Sequence, residues 1–349
     1  MKRNGYGEKI IYRKIDMRKL ICILSVVISL YSCEKLNHNE KIPGEINTNF
    51  SLKILDGYFV TSMAFDSQGN TWIGTFKQGL IKYNSKETVV YNSSNSILPE
   101  NLVVWDIAVD SKDYIWMGCE GLMKFDGENF TLYNSANTAI PEDFVYSIAI
   151  DSKDNIWFTS CRFRQGGIVK YDGSDWKVFT PDNSDLPVNS VTSIAIDRNN
   201  NIWLALAEIV NNSYLVKISD RNWTIYSGDD LGFSPYYFGN IQINSKNQIC
   251  GAIDYSLSSL GINQGPQVFI FNGNTSEQLQ FDNITRIKSI TVDNQDNIWC
   301  SAYGGYAVYN GDKWTVDDST FKEASVFDIE QSRDNKIWIG TGDGIYINN

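Results

Sequence analysis

Apolar and polar positions along this chain alternate in short bursts, without a helical spacing. In residues 147–179 the run Ser147-Ile148-Ala149-Ile150 leads into the polar stretch Asp151-Ser152-Lys153-Asp154-Asn155. Ile156-Trp157-Phe158-Thr159 follows, then Gly167-Ile168-Val169-Lys170-Tyr171, the turn Asp172-Gly173-Ser174-Asp175, and Trp176-Lys177-Val178-Phe179. Four runs rich in β-branched and aromatic residues, split by Asp, Asn and Gly, predict four short strands joined by tight turns. Asp at a turn start accepts bonds from backbone N–H groups, and Asn or Gly near its end tolerates positive φ. No window of about 11 residues beyond the N-terminal region sustains helical periodicity.

The pattern recurs. Copies of the polar turn begin at Asp66, Asp110, Asp151, Asp197, Asn244, Asp293 and Ser332, seven in all. The residue two places after the turn is Trp72, Trp116, Trp157, Trp203, Cys250, Trp299 and Trp338, at steps of 44, 41, 46, 47, 49 and 39 residues. Periods of about 40–50 residues belong to propeller blades or helical arrays, and the strand content selects the propeller. A lone four-stranded sheet of this kind leaves both faces apolar, and a ring buries each face on the next. The expected fold is therefore all-β: a seven-bladed propeller of four-stranded antiparallel blades. The last copy stops after its third strand, Gly344-Ile345-Tyr346-Ile347, while an unassigned run, Phe50 to Leu55, precedes the first. That run is expected to complete the last blade and latch the ring. The repeated Trp positions are expected in the core.

The N-terminus differs in kind. Met17-Arg18-Lys19 opens a basic region, Leu20–Leu30 is an apolar run of secretory length, and Leu30-Tyr31-Ser32-Cys33 follows. This resembles a bacterial lipobox, which implies a signal peptide at 1–32 (with Met17 the more natural start), lipidation at Cys33, and a polar tether over 33–49. The propeller is expected over 50–349. The location implied is the cell envelope: lipid-anchored, at the outer membrane, on the periplasmic or surface side.

Removing residues 1–32 takes away seven Lys/Arg and two Asp/Glu, moving the formal charge from −11 to −16. An acidic exported body argues against nucleic acid and against charge-driven binding to anionic lipid. Neutral or cationic ligands remain. Cys119, Cys161, Cys250 and Cys300 fall on or just after second strands; a Cys119–Cys161 bridge is conceivable, but free buried thiols fit better. The one histidine is His38, in the expected tether. Histidine-based triads, Cys–His pairs and His-ligated metals are thus absent from the propeller sequence. No cysteine motif suggests zinc. The turns lack a sequence-matched Glu for calcium. No metal or cofactor is expected.

The string Asp334-Asn335-Lys336-Ile337-Trp338-Ile339-Gly340-Thr341-Gly342-Asp343-Gly344-Ile345 resembles the two-component regulator propeller repeat, as does Leu186-Pro187-Val188-Asn189-Ser190-Val191. Such propellers typically form the periplasmic sensor part of hybrid histidine kinases in Bacteroidetes and are linked to detecting polysaccharide fragments. The resemblance covers about residues 55–349 and is weak in the fifth copy. This chain has one ring of seven repeats, and no kinase or receiver is expected in it. The resemblance implies an exported recognition propeller.

Strand alternation puts the D–A and B–C connections on one face, and irregular segments concentrate there. Blade three inserts Arg162-Phe163-Arg164-Gln165, blade four inserts Glu208–Ser213, the next connection carries Tyr236 and Tyr237, and blade five inserts a stretch containing Asp254 and Tyr255. Loops on a rigid scaffold carry function, so Arg162, Phe163, Arg164, Tyr236, Tyr237, Asp254 and Tyr255 are candidate ligand contacts. Trp105, Tyr146 and Phe327 align at the starts of first strands and are candidates at the channel mouth. No catalytic residue is assigned. Carboxylate-pair chemistry needs only two Asp/Glu, and Glu120, Glu208, Asp229, Asp230 and Asp254 lie on this face, but no spacing selects a pair. The expected function is binding of an extracellular glycan, peptide or other small molecule without catalysis. The rivals are a His-independent lyase or hydrolase and a module that docks an envelope protein.

Overall fold

The computed structural model describes residues 46–162, 165–207, 213–233, 238–253, 267–280, 287–302, 305–317, 320–321 and 324–348. The unit carrying the fold is Ile46–Asn349. It holds seven antiparallel sheets of four strands each. The innermost strands are Val60–Phe65, Asp106–Val109, Ile148–Ile150, Val191–Ile196, Phe238–Ile243, Ile290–Val292 and Val326–Gln331. Each touches the next, and the seventh returns to the first, so the ring is closed.

Closure uses the N-terminal run. Leu52–Ile54 pairs antiparallel with Gly344–Ile347, placing Leu52 opposite Ile347 and Ile54 opposite Ile345, as the outer strand of blade seven. Just before it, Phe50 is buried edge-on against Trp299, Tyr306 and Phe321. The carbonyl of Asn47 accepts from Asn348 Nδ2. The expected tether is thus fastened at its C-terminal end. The cores lie between blades. One joins Trp72 and Leu80 of blade one to Val104, Ile107 and Met117 of blade two.

The spacing of Asp and Trp has a direct cause. In blade one Asp66 Oδ1 accepts the N–H groups of Gln68 and Asn70, at 3.0 and 2.8 Å. Its Oδ2 accepts from Asn70 Nδ2 and from the indole N–H of Trp72, at 2.7 and 2.9 Å. One carboxylate therefore closes the hairpin turn and satisfies a buried indole. Asp110, Asp151, Asp197 and Asp293 bind Trp116, Trp157, Trp203 and Trp299 in the same way, at 2.9–3.1 Å. The hydrogen bonds hold the Asp151 and Asp197 carboxyls below the usual range although burial opposes this.

Turns also bind their neighbours. The fourth turn residue has positive φ in every blade: Gly69, Asp113, Asp154, Asn200, Asn247, Asp296 and Asn335. In blades two to seven its side chain accepts from the second turn residue of the preceding blade. Ser67 N–H thus donates to Asp113, Ser111 to Asp154, Ser152 to Asn200, Arg198 to Asn247 and Ser245 to Asp296, at 2.7–3.1 Å. Asn294 Nδ2 reaches Asn335 at 2.7 Å.

Two glycines of the repeat are required by contact. A Cβ on Gly118 would lie 2.5 Å from the carbonyl oxygen of Val145 in the next blade. Gly121 has φ +108, and its Cβ would lie 2.7 Å from the Tyr133 carbonyl oxygen.

Two segments differ from their expected form. Gly228–Leu231, in the blade four-to-five connection, is a single helical turn, closed by Asp230 accepting from the Ser227 N–H at 2.8 Å. A Ser-x-x-Asp box needs no helical periodicity around it. In blade three the second and third strands run Ile156–Arg162 and Gln165–Tyr171, and Arg162 pairs with Gln165. The insertion there lengthens a hairpin. Cys119, Cys161, Cys250 and Cys300 are free and buried.

Candidate site at the channel mouth

Where the inner strands begin, aromatic side chains form an arc across four blades. Phe327 of blade seven lies 4.5 Å from Phe59, which lies 5.2 Å from Phe76 of blade one (ring centroids). Phe76 bridges to Val103, two residues before Trp105. Trp105 of blade two lies 5.6 Å from Phe144, which lies 5.6 Å from Tyr146 of blade three. Trp105 is 40% exposed and Phe76 37%, high values for large apolar rings. Phe327 takes its place because the inner strand slips register between Val326 and Asp328, and such a bulge re-aims a side chain.

Cations flank the arc. Lys288 Nζ sits 3.5 Å from the Phe327 ring centroid, and Lys77 Nζ 5.0 Å from that of Phe76. Beside Phe59 and Phe327 opens a cavity of about 610 Å3, also lined by Phe321, Ser325, Asp343 and Tyr346. Asp343 is held there by Lys53 Nζ at 2.7 Å and the Gly57 N–H at 3.1 Å. That volume falls within the range of small-molecule sites.

Below the mouth, a polar ring ties the inner strands together. Ser62 Oγ accepts the N–H of Ile107 at 3.0 Å, Ser147 Oγ that of Ile194 at 3.1 Å, and Ser193 Oγ that of Ile241 at 3.2 Å. Two blades use Asp for the same purpose. Asp106 accepts the N–H of Ile148 at 2.7 Å, and Asp328 that of Met63 at 2.8 Å. Burial pushes Asp106 up to about 7, against its backbone hydrogen bonds and aided by the charge of Asp328. Asp328 is raised by burial as well. Glu330 stands opposite Trp338, where four other inner strands place Ala64, Ala108, Ala149 and Ala195, and blade six places Thr291, opposite their Trp. Burial and the charges of Asp328 and Asp106 hold Glu330 well above the usual carboxylate range.

Of the residues selected from sequence, Trp105, Tyr146 and Phe327 are brought onto this arc. The Tyr146 hydroxyl donates to the carbonyl of Val191 in blade four, which fixes its ring. Arg162 is exposed and follows Cys161, whose N–H donates to the Phe144 carbonyl at 3.3 Å. Phe163, Arg164, Tyr236, Tyr237, Asp254, Tyr255, Glu208 and the lipobox Cys33 lie outside the described residues. Asp229 and Asp230 are in the helical turn after blade four, and Glu120 is exposed after the second strand of blade two. Sequence reasoning missed Phe59, Phe76, Phe144 and Lys288. For Phe59 and Phe144 the signal was available, an aromatic residue just before the first strand, as for Trp105; Phe76, after a second strand, and Lys288 carried no such signal.

Residues 54–77 and 185–207 match the family model of the two component regulator propeller. These matched repeats fall in blade one and at the start of blade four. No curated protein matches the chain. Solved structures resemble it in fold. One is the extracellular domain of a protein named as a hybrid two component system of B. thetaiotaomicron: 21% identity, TM-score 0.65, 84% of this chain and 39% of that one. Another, from the same organism and named as a one component system, has 20% identity and a TM-score of 0.68 over 87% of this chain and 41% of that one. The chain thus spans about two-fifths of their length. A third is virginiamycin B lyase from Staphylococcus aureus with quinupristin, in a catalytically inactive histidine-to-alanine variant: 12% identity, TM-score 0.64, 85% of this chain and 98% of that one. At these identities the likeness establishes the shared propeller. Among the described residues, no helix is long and apolar enough to cross a membrane, and no group of His, Cys, Asp and Glu could hold a metal ion.

Proposed function

We propose that this is an envelope propeller, lipid-anchored through Cys33, that binds an extracellular glycan at the channel mouth without turning it over. The observation that carries the reading is the exposed Trp105 within an aromatic arc that adjoins a 610 Å3 cavity. Sugar rings stack their C–H faces on aromatic side chains, and their hydroxyls take hydrogen bonds from the polar rim. Ser325 supplies a donor at that rim, and Lys288 lies over the Phe327 ring beside it. The extracellular location in the names of the two B. thetaiotaomicron structures supports the envelope assignment. A lyase reading has less support: a histidine-to-alanine variant of the S. aureus lyase is catalytically inactive, and the single histidine here, His38, lies before the propeller.

The test is a thermal-shift screen of residues 34–349 against neutral oligosaccharides and short peptides, with mass spectrometry of each mixture. A ligand that binds only the native state raises its midpoint. An oligosaccharide that does so and remains intact supports the reading. Cleavage of the ligand overturns the non-catalytic part, and a response to peptides alone overturns the glycan part. The anchor is checked separately. Cys33→Ala in the full chain should move the protein from the membrane fraction to the soluble one, and retention would contradict lipidation.

A further inference from the structure

The two devices of the polar turn fail together at one place, the seam between blades seven and one. Blade seven starts its turn with Ser332 where five blades have Asp. The Ser332 hydroxyl donates to Asp334 at 2.5 Å and accepts the Lys336 N–H at 3.2 Å, too short to reach further. Trp338 is 9% exposed, and its indole N–H has no acceptor among the described residues. In five other blades that N–H donates to the turn Asp. The outward link is missing as well. Arg333 holds the position whose backbone N–H should donate to the fourth turn residue of blade one, and that residue is Gly69, without a side chain. At five other seams that N–H donates to Asp or Asn, and between blades six and seven the Asn294 side chain reaches Asn335 instead.

A cavity of about 340 Å3 lies at this seam, lined among others by Trp338, Ser332, Arg333, Lys336 and Gly69. A buried N–H without an acceptor costs on the order of 1–3 kcal/mol, and native structures rarely leave one. Both groups missing from the seam are carboxylate or amide oxygens. Lys336 and Arg333 add positive charge beside the vacated positions, against Asp334, which pairs with Lys336 at 4.0 Å, and Asp66, which its own turn holds.

We infer that the seam cavity binds the carboxylate of a small ligand, which takes the place of the absent turn aspartate and accepts the Trp338 indole N–H. This site lies on the face opposite the channel mouth and is independent of the glycan reading. An acidic sugar and a peptide C-terminus offer the same chemistry.

The test follows the Trp338 indole 1H–15N resonance, assigned by its loss in Trp338→Phe. The protein is titrated with galacturonate against galactose, and with a dipeptide acid against its amide. The expected result is a saturable shift with an acid and none with its neutral counterpart. The two pairs tell sugar acid from peptide C-terminus. Ser332→Asp should supply the carboxylate from the chain itself, move the resonance without ligand, and abolish the titration. Should Trp338→Phe fail to fold, the resonance that moves in Ser332→Asp serves as the assignment. An indole unmoved by either acid, an equal response to the neutral partners, or a titration that survives in Ser332→Asp would each overturn the inference.

Discussion

Asp106→Ser should change how stability depends on pH, and the structure sets the size of the change. Asp106 binds the Ile148 N–H of the next blade, as Ser62, Ser147 and Ser193 bind theirs. Serine can therefore keep the blade-to-blade bond while removing the charge. The folded Asp106 carboxyl is raised from 3.8 to about 7, first by burial. Between those values the unfolded chain has lost a proton that the folded protein keeps. Stability is then highest below the unfolded value and falls as pH rises through about 7. Each pH unit in that window costs about 1.4 kcal/mol, so the wild type should lose roughly 2–3 kcal/mol between pH 5 and pH 8 from this residue. Removing its charge also relieves Glu330, which it raises. Urea unfolding at both pH values gives the slopes. The variant should be the more stable protein at pH 8 and should show a shallower fall from pH 5. An unchanged slope would refute the argument that Asp106 is held protonated by burial in the ring.

Other consequences are equally direct. Asp151→Ala removes four hydrogen bonds, to Lys153, twice to Asn155, and to Trp157, and should cost on the order of 3–5 kcal/mol in urea unfolding; a cost below about 1 kcal/mol would contradict the role given to the turn carboxylate. Deleting residues 46–56 removes the outer strand of blade seven and the buried Phe50, and should destabilise by about 3 kcal/mol or more, whereas an unchanged midpoint would show that the ring closes without it. Burial pushes the Cys119 and Cys250 thiols up to about 12, so iodoacetamide at pH 8 should leave them unlabelled in the folded protein and label them after unfolding; labelling without unfolding would place them nearer solvent.

The architecture was legible because its signals are local and repeated. Turn chemistry, strand runs and the spacing of Trp lie within one blade, and the leftover strand at each end implied the latch. The indole bond was partly legible: Asp and Trp sit a fixed six residues apart, but only coordinates show that Trp72 points its N–H back at Asp66. The inner polar ring was not legible. Ser62 meets Ile107, and Asp106 meets Ile148, across blade boundaries that no periodicity specifies. The same holds for the arc, where Phe327 meets Phe59 only once the ring has closed. The Ser332 departure was visible as a serine at the turn start where five copies have Asp, but its consequence for Trp338 required the cavity beside it.

The central claim is that ligand binds at the aromatic mouth. Its most direct test is a binding titration of an oligosaccharide that stabilises the wild type, repeated with Trp105→Ala. Trp105 is 40% exposed and belongs to none of the blade cores, so the variant should fold with a nearly unchanged midpoint. The account predicts at least a tenfold loss of affinity, about 1.4 kcal/mol. Undiminished binding to a folded Trp105→Ala protein would place the site elsewhere and contradict the claim.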